Sequence, residues 1–197
     1  MEPIDLKKKY KELYKAKETP AQVVAPDCAF LSVDGVGRPG GEAYQEAIQK
    51  LYGVAYTMKF ALKGAGILDF KIPNLECLWF SHPDEVLLDE WKWQLLIRIP
   101  DDITEEHVQE SCALLLEKKD VDASDLKLIR WEEGPAVQIL HIGPYDEVAC
   151  SYRAITEFAQ VNELQPGAIG HEVYISDPQR TALDKLKTIV RIPVRPI

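Results

Sequence analysis

Two segments of this chain end alike: Ile97-Arg98-Ile99-Pro100 and Val190-Arg191-Ile192-Pro193. Each closes a run with the same element order of strand, helix, strand, strand, and Val36-Gly37 and Ile142-Gly143 hold the same place early in each run. Internal duplication of one supersecondary unit is the simplest account of such a pattern. One unit alone leaves a face of its sheet bare, so the two are expected side by side about a pseudo-twofold axis. Their seam is then a groove, and concave junctions of this kind favour small ligands.

The first unit, about residues 20–118, reads as a hairpin at 22–24 and 29–33, then a glycine-rich loop through Gly35, Gly37, Gly40 and Gly41. A helix follows, with Tyr44, Ala47, Ile48, Leu51, Tyr52 and Ala55 on one face, ending near Lys59 or Phe60. Residues 75–80 and 93–99 read as strands joined by the polar stretch Ser81-His82-Pro83-Asp84-Glu85. Thr104 is an N-cap for a helix with Glu105 and Glu106 in its first turn. The second unit, about 126–197, begins with strands at 126–131 and 136–142 turning at Gly134-Pro135. A helix lined by Val148, Tyr152, Ile155, Phe158 and Ala159 follows, then strands at 172–175 and 188–193. Ahead of both, residues 1–19 read as a short amphipathic helix carrying Leu6, Tyr10, Leu13 and Tyr14, stopped by Thr19-Pro20. The expected architecture is α+β: two tandem β-α-β-β repeats, antiparallel sheets and helices around a central groove, in a single domain over 20–197.

Composition narrows the function. Among 197 residues the net charge is −9, which opposes a broad phosphate-binding surface. The one basic run, Lys7 to Lys17, reads as a solvated helix face, and a single helix is not a helix-turn-helix, so no direct nucleic-acid contact is expected. No apolar run reaches the length of a membrane span or a signal peptide, so a cytoplasmic protein is expected. Cys28, Cys77, Cys112 and Cys150 are scattered, without zinc-ligand spacing. No phosphate loop, nucleophile elbow or dinucleotide fingerprint is present, and neither metal nor cofactor is expected.

The second half carries His141-Ile142-Gly143-Pro144-Tyr145, Gly170-His171-Glu172-Val173-Tyr174-Ile175-Ser176-Asp177-Pro178 and Thr188-Ile189-Val190-Arg191-Ile192-Pro193-Val194. In these segments the chain resembles the GyrI-like small-molecule-binding family, whose fold is shared by drug-binding domains of multidrug-responsive transcription regulators and, more distantly, by SOUL-type haem-binding proteins. The first half carries Tyr56-Thr57-Met58-Lys59-Phe60, Pro73-Asn74-Leu75-Glu76-Cys77-Leu78-Trp79-Phe80 and Trp91-Lys92-Trp93-Gln94-Leu95-Leu96-Ile97-Arg98-Ile99-Pro100. There it resembles a free-standing subgroup that hydrolyses the cyclopropane of cyclopropanoid DNA-alkylating antibiotics. Where that subgroup has Glu-Gly-Leu-Trp-Trp, this chain has Cys77 and Phe80.

Strand alternation sends Glu172 and Tyr174 to one face and Val173 and Ile175 to the other. The apolar pair is assigned to the helices and Glu172 to the groove, where a carboxylate among aromatic rings attracts a cation or activates water. Glu76 is a candidate second carboxylate. Strict alternation separates it from Trp79, and both reach the groove only through a bulge. Trp93 aligns with the core-facing Leu95 and Ile97 and is also a candidate aromatic wall. His141 and Trp131 read as structural. The resemblance implies Glu172, Glu76 and Tyr56 as catalytic candidates and Trp79, Trp93, Tyr145 and Tyr174 as ligand-binding candidates. It further implies a hydrophobic, aromatic or cationic small molecule as partner and addition of water to a strained ring as a detoxifying reaction. The alternatives are a non-catalytic sequestering or sensing protein and a protein inhibitor of a topoisomerase.

Overall fold

A computed structural model describes residues 2–81 and 86–197. The expected polar connection at His82, Pro83, Asp84 and Glu85 lies outside the described residues. The N-terminal segment forms β1 (Ile4–Asp5), a single turn α1 (Leu6–Lys9) and a 3-10 turn at Lys11–Leu13, rather than one helix. The first repeat comprises β2 (Ala21–Ala25), β3 (Cys28–Val36), α2 (Glu42–Gly64), β4 (Phe70–Lys71), β5 (Leu75–Trp79), β6 (Lys92–Ile99) and α3 (Glu105–Lys119). The second comprises β7 (Lys127–Trp131), β8 (Gly134–Ile142), α4 (Ala149–Val161), β9 (Leu164–Pro166), β10 (Gly170–Tyr174) and β11 (Lys187–Pro196).

Helix α2 runs past its expected end because Met58 and Leu62 continue the stripe of Tyr44, Ala47, Leu51, Val54 and Ala55. Gly37 and Gly40, at φ 131° and 72°, supply the left-handed turns that lead into it. Helix α3 starts at the expected Thr104, whose hydroxyl accepts from the His107 amide while His107 Nδ1 accepts from the Thr104 amide.

The repeats share one antiparallel sheet. Its order is β2-β8-β11-β10-β5-β6-β3-β7, with β9 added along the end of β11; β1 and β4 pair separately. Exchanging β2 with β7, β3 with β8, β5 with β10 and β6 with β11 reverses this order, so the pseudo-twofold axis passes between β5 and β10. The expected hairpin between β2 and β3 does not form: β2 pairs with β8 and β7 with β3, each repeat lending its first strand to the other. Likewise β7 and β8 do not pair with each other across Gly134-Pro135. The exchange ties the two halves by backbone hydrogen bonds into one body.

Alternation along the strands divides the sheet's faces. On the front, α2 packs over Leu31, Val33, Leu95 and Ile97, and α4 packs over Val137, Ile139, Val190 and Ile192. On the back, Val173 and Ile189 meet Leu13 and Tyr14 of the N-terminal segment, while Leu78, Leu96 and Phe30 meet Tyr10 and Trp131. Val173 and Ile175 therefore lie under the N-terminal segment and not under the helices. The expectation failed because the sheet is covered on both faces, so an apolar pair had two places to go.

Candidate functional site

The front seam lies between α2 and α4, floored by β5 and β10. Register places Glu172 opposite Cys77 and Gly170 opposite Trp79, with no bulge in either strand. Trp79 thus shares the front with Glu172, while Glu76 pairs with Val173 and points to the back. The two carboxylates do not face each other, since a bulge was the only way to bring Glu76 forward.

Glu172 is 6% exposed. Tyr152, reaching down from α4, donates to its Oε1 at 3.0 Å, and Tyr174, two residues along β10, donates to its Oε2 at 3.0 Å. Tyr44 from α2 shares a hydrogen bond with the Tyr174 hydroxyl at 3.1 Å, so both helices are tied to the carboxylate. The Tyr44 ring lies nearly parallel to Trp79 at a 6.0 Å centroid separation and edge-on to Trp93 at 5.1 Å. Trp91 abuts Trp79 edge-on at 5.6 Å. Trp79 Nε1 is buried and donates to nothing among the described residues.

Burial pushes the Glu172 carboxyl above the usual glutamate range, against the opposing pull of hydrogen bonds from Tyr174 and Tyr152 and of the Trp79 N–H, which is directed at the carboxyl without reaching hydrogen-bond geometry. Burial likewise raises the phenols of Tyr152, Tyr174 and Tyr44 well above their usual range, so they remain proton donors. Burial and then the Glu172 charge push the Cys77 thiol up, which keeps it protonated. The result is a buried carboxyl whose surroundings on this face are neutral donors and rings. Such a group can take a proton from water or hold a cation.

Rings fill the groove between the helices. A cavity of about 210 Å³ opens beside Gly37, Arg38 and Tyr44, at the α2 start of the seam, and one of about 410 Å³ lies away from it beside Gly167 and Pro193; Glu172 lines neither. Tyr145, 37% exposed, stands edge-on to Tyr174 at 5.6 Å and marks where the seam meets solvent. Gly170 admits the Tyr152 ring: a Cβ there would stand 2.5 Å from Tyr152 Oη.

Of the residues singled out from sequence, Glu172, Tyr174, Trp79, Trp93 and Tyr145 gather here, Trp93 behind Tyr44 with its Nε1 donating to the Gly37 carbonyl at 3.1 Å. Tyr56 does not. It is 48% exposed, stacked between Tyr52 and Phe60, twelve residues along α2 from Tyr44, or about 18 Å at the α-helical rise. Tyr44 and Tyr152 were missed as site residues, because at helical spacing each reads as one more member of an apolar stripe. Their signal was that tyrosine, rather than leucine, stood at a core-facing position. His141 is structural in its bonds: Nε2 meets the Pro144 carbonyl and Nδ1 the Ser151 hydroxyl, each at 3.1 Å. Among the described residues no three His, Cys, Asp or Glu side chains gather to hold a metal, and no helix is long and apolar enough to cross a membrane.

The duplicated sheet sets one helix on each side of a buried, phenol-bound carboxyl. The chain belongs to the family of the GyrI-like small molecule binding domain, which matches residues 19–195. Two solved structures from Listeria innocua superpose at a TM-score of 0.92. One structure, described as an uncharacterized conserved protein, is 39% identical and the other, described as a hydrolase, 38%; each match covers 98% of this chain and 100% of that chain. The C-terminal domain of EcmrR shares the fold at 15% identity and a TM-score of 0.60, over 91% of this chain and 98% of that domain. No curated protein matches the chain.

Proposed function

We propose that the protein binds a flat, apolar or cationic aromatic molecule at the front seam and hydrolyses a strained, cyclopropanoid ring within it. The observation that carries this reading is Glu172: a buried carboxyl raised by its surroundings and held by two phenols, in a seam lined by indole rings. Support comes also from the hydrolase description of a Listeria protein 38% identical over nearly the whole chain. In the proposed reaction a water oxygen bonds to a cyclopropane carbon and gives its proton to Glu172. The ring C–C bond breaks, and its electron pair moves into the conjugated carbonyl, whose oxygen takes a proton from a phenol of the seam; that phenol recovers a proton from the Glu172 carboxyl along their hydrogen bond, which restores both groups. Tyr174 and Tyr152 are placed to orient the carboxylate, and donors poised where charge develops lower the barrier. Trp79 and Tyr44 flank the ligand, which enters past Tyr145.

The test is incubation with a cyclopropanoid electrophile. Many turnovers to the hydrated product are expected, with kcat falling at least about a hundredfold in Glu172→Gln. A stoichiometric complex of unchanged ligand overturns the hydrolytic step and leaves sequestration through the same seam. That second reading has its own observation: both oxygens of Glu172 are already hydrogen-bonded.

A further inference from the structure

Directly behind Glu172, on the other face of the sheet, a closed circuit of hydrogen bonds is buried. Tyr14 Oη donates to Glu76 Oε1 at 2.5 Å; Glu76 Oε2 lies 3.0 Å from His171 Nε2; His171 Nδ1 lies 3.0 Å from Glu133 Oε2. Arg191 Nη1 donates to that same Glu133 oxygen at 2.9 Å, and Arg191 Nη2 donates to the Leu13 carbonyl at 2.7 Å. Leu13 and Tyr14 are neighbours, so the N-terminal segment closes the ring. That segment lies ahead of the family match, which begins at residue 19.

The partners of His171 favour its charged form. Each ring nitrogen lies 3.0 Å from a carboxylate oxygen, and carboxylates only accept, which favours hydrogen on both nitrogens; Arg191 Nη1, 3.4 Å from Nδ1, is the longer, competing contact. It is fully buried with Trp131 edge-on at 5.3 Å. Burial works against the charge, and the Glu133 charge with hydrogen bonds from Glu133 and Glu76 overcomes it, holding His171 above the usual histidine range; Arg191 opposes. Arg98 stands 3.8 Å from Glu76 on the far side. His171 adjoins Glu172 in β10, so a buried positive charge stands one residue behind a carboxylate whose front neighbours, Tyr152, Tyr174, Tyr44, Cys77 and Trp79, are all neutral.

We infer that His171 is a positioning residue for Glu172: its imidazolium, locked by the N-terminal segment, Glu76, Glu133 and Arg191, pins β10 and keeps the buried Glu172 able to ionise. This rests on Glu172 being the working carboxylate of the proposed reaction. It assigns the back-face network an electrostatic task at the site, beyond holding the sheet together.

Two titrations by NMR of the full chain test it without any substrate. With ¹⁵N-labelled histidine, both His171 nitrogens are expected to be protonated at pH 7, where a free imidazole has lost its proton. With ¹³C-labelled glutamate, the Glu172 midpoint is expected to rise by about one pH unit in His171→Gln and to return in His171→Lys. Coupling is reciprocal, so in Glu172→Gln, which keeps the back-face network intact, the His171 midpoint falls by the same amount; this arm stands even if His171→Gln fails to fold. A neutral His171 at pH 7, or a His171 midpoint unmoved by Glu172→Gln, overturns the inference. The shifts with no turnover of the cyclopropanoid probe would leave the inference standing and sink the hydrolytic reading instead.

Discussion

Glu172 and Glu76 occupy neighbouring central strands, both buried, and their carboxyls move in opposite directions. For Glu172 burial dominates and the carboxyl rises. For Glu76 burial pushes upward too, but the Arg98 and His171 charges and the hydrogen bonds from His171 and Tyr14 outweigh it and bring the carboxyl down to about 2. The difference lies in the neighbours: phenols on the front, guanidinium and imidazolium on the back. Depth in the protein therefore does not decide what a carboxyl does. A buried acid surrounded by neutral donors is poised to exchange a proton, whereas one among cations is a fixed anion.

Cutting each carboxyl separates the two faces most sharply. Glu76→Gln leaves His171 and Arg98 without their anion and is expected to cost about 3–5 kcal/mol in denaturant unfolding at pH 7. Glu172→Gln removes a carboxylate that the fold holds at a disadvantage, and is expected to raise stability by about 0.5–2 kcal/mol while turnover falls at least about a hundredfold. The pH dependences have opposite signs. Glu76, lowered in the fold from 4.5, stabilises above about pH 4.5, and that contribution drains away as pH falls towards 2. Glu172, raised in the fold from 4.5, costs stability above its folded midpoint, and the cost is relieved as pH falls through that midpoint. The wild type should thus lose stability below about pH 4.5, Glu76→Gln should show a flatter acid limb, and the gain from Glu172→Gln should vanish in acid. Equal losses in the two variants would erase the contrast.

A smaller effect sharpens the front alone. The Cβ of Gly170→Ala would stand 2.5 Å from Tyr152 Oη and 2.9 Å from its ring, so Tyr152 must withdraw from Glu172. The expected cost is about 1–3 kcal/mol in thermal unfolding, with turnover falling as far as in Tyr152→Phe. Unchanged turnover in Gly170→Ala would show that the Tyr152 bond is dispensable.

Much of this frame was legible in the residues. The repeated Ile97–Pro100 and Val190–Pro193 segments announce the duplication, and they also locate its asymmetry. Registers pair Leu75 with Ile97 and Glu172 with Val190, so Leu75 stands in the first repeat where Glu172 stands in the second. By the same match Cys77 stands where Tyr174 does. The symmetry supplies the seam, and one repeat supplies its acid. Partner choice was not legible: β2 and β3 have the pattern of a hairpin, yet each pairs elsewhere, because alternation records which face a residue serves and not which strand lies beside it. The same limit misplaced Val173 and Ile175. For Glu76, strict alternation along 75–80 was the correct guide and the bulge that would have brought it forward is absent. Tyr56 shows a different limit, since a phenol on a helix gives no sign of which turn reaches the sheet.

The central assertion is that ligand meets Glu172 at the seam between the repeats. A crystal structure of Glu172→Gln with an intact cyclopropanoid electrophile tests this most directly. The expected result is ligand density between α2 and α4, touching residue 172, Trp79 and Tyr44, with Tyr145 displaced. Density confined to the exposed rings of Tyr56 and Phe60, with Tyr44, Trp79 and Tyr145 unmoved, would contradict it.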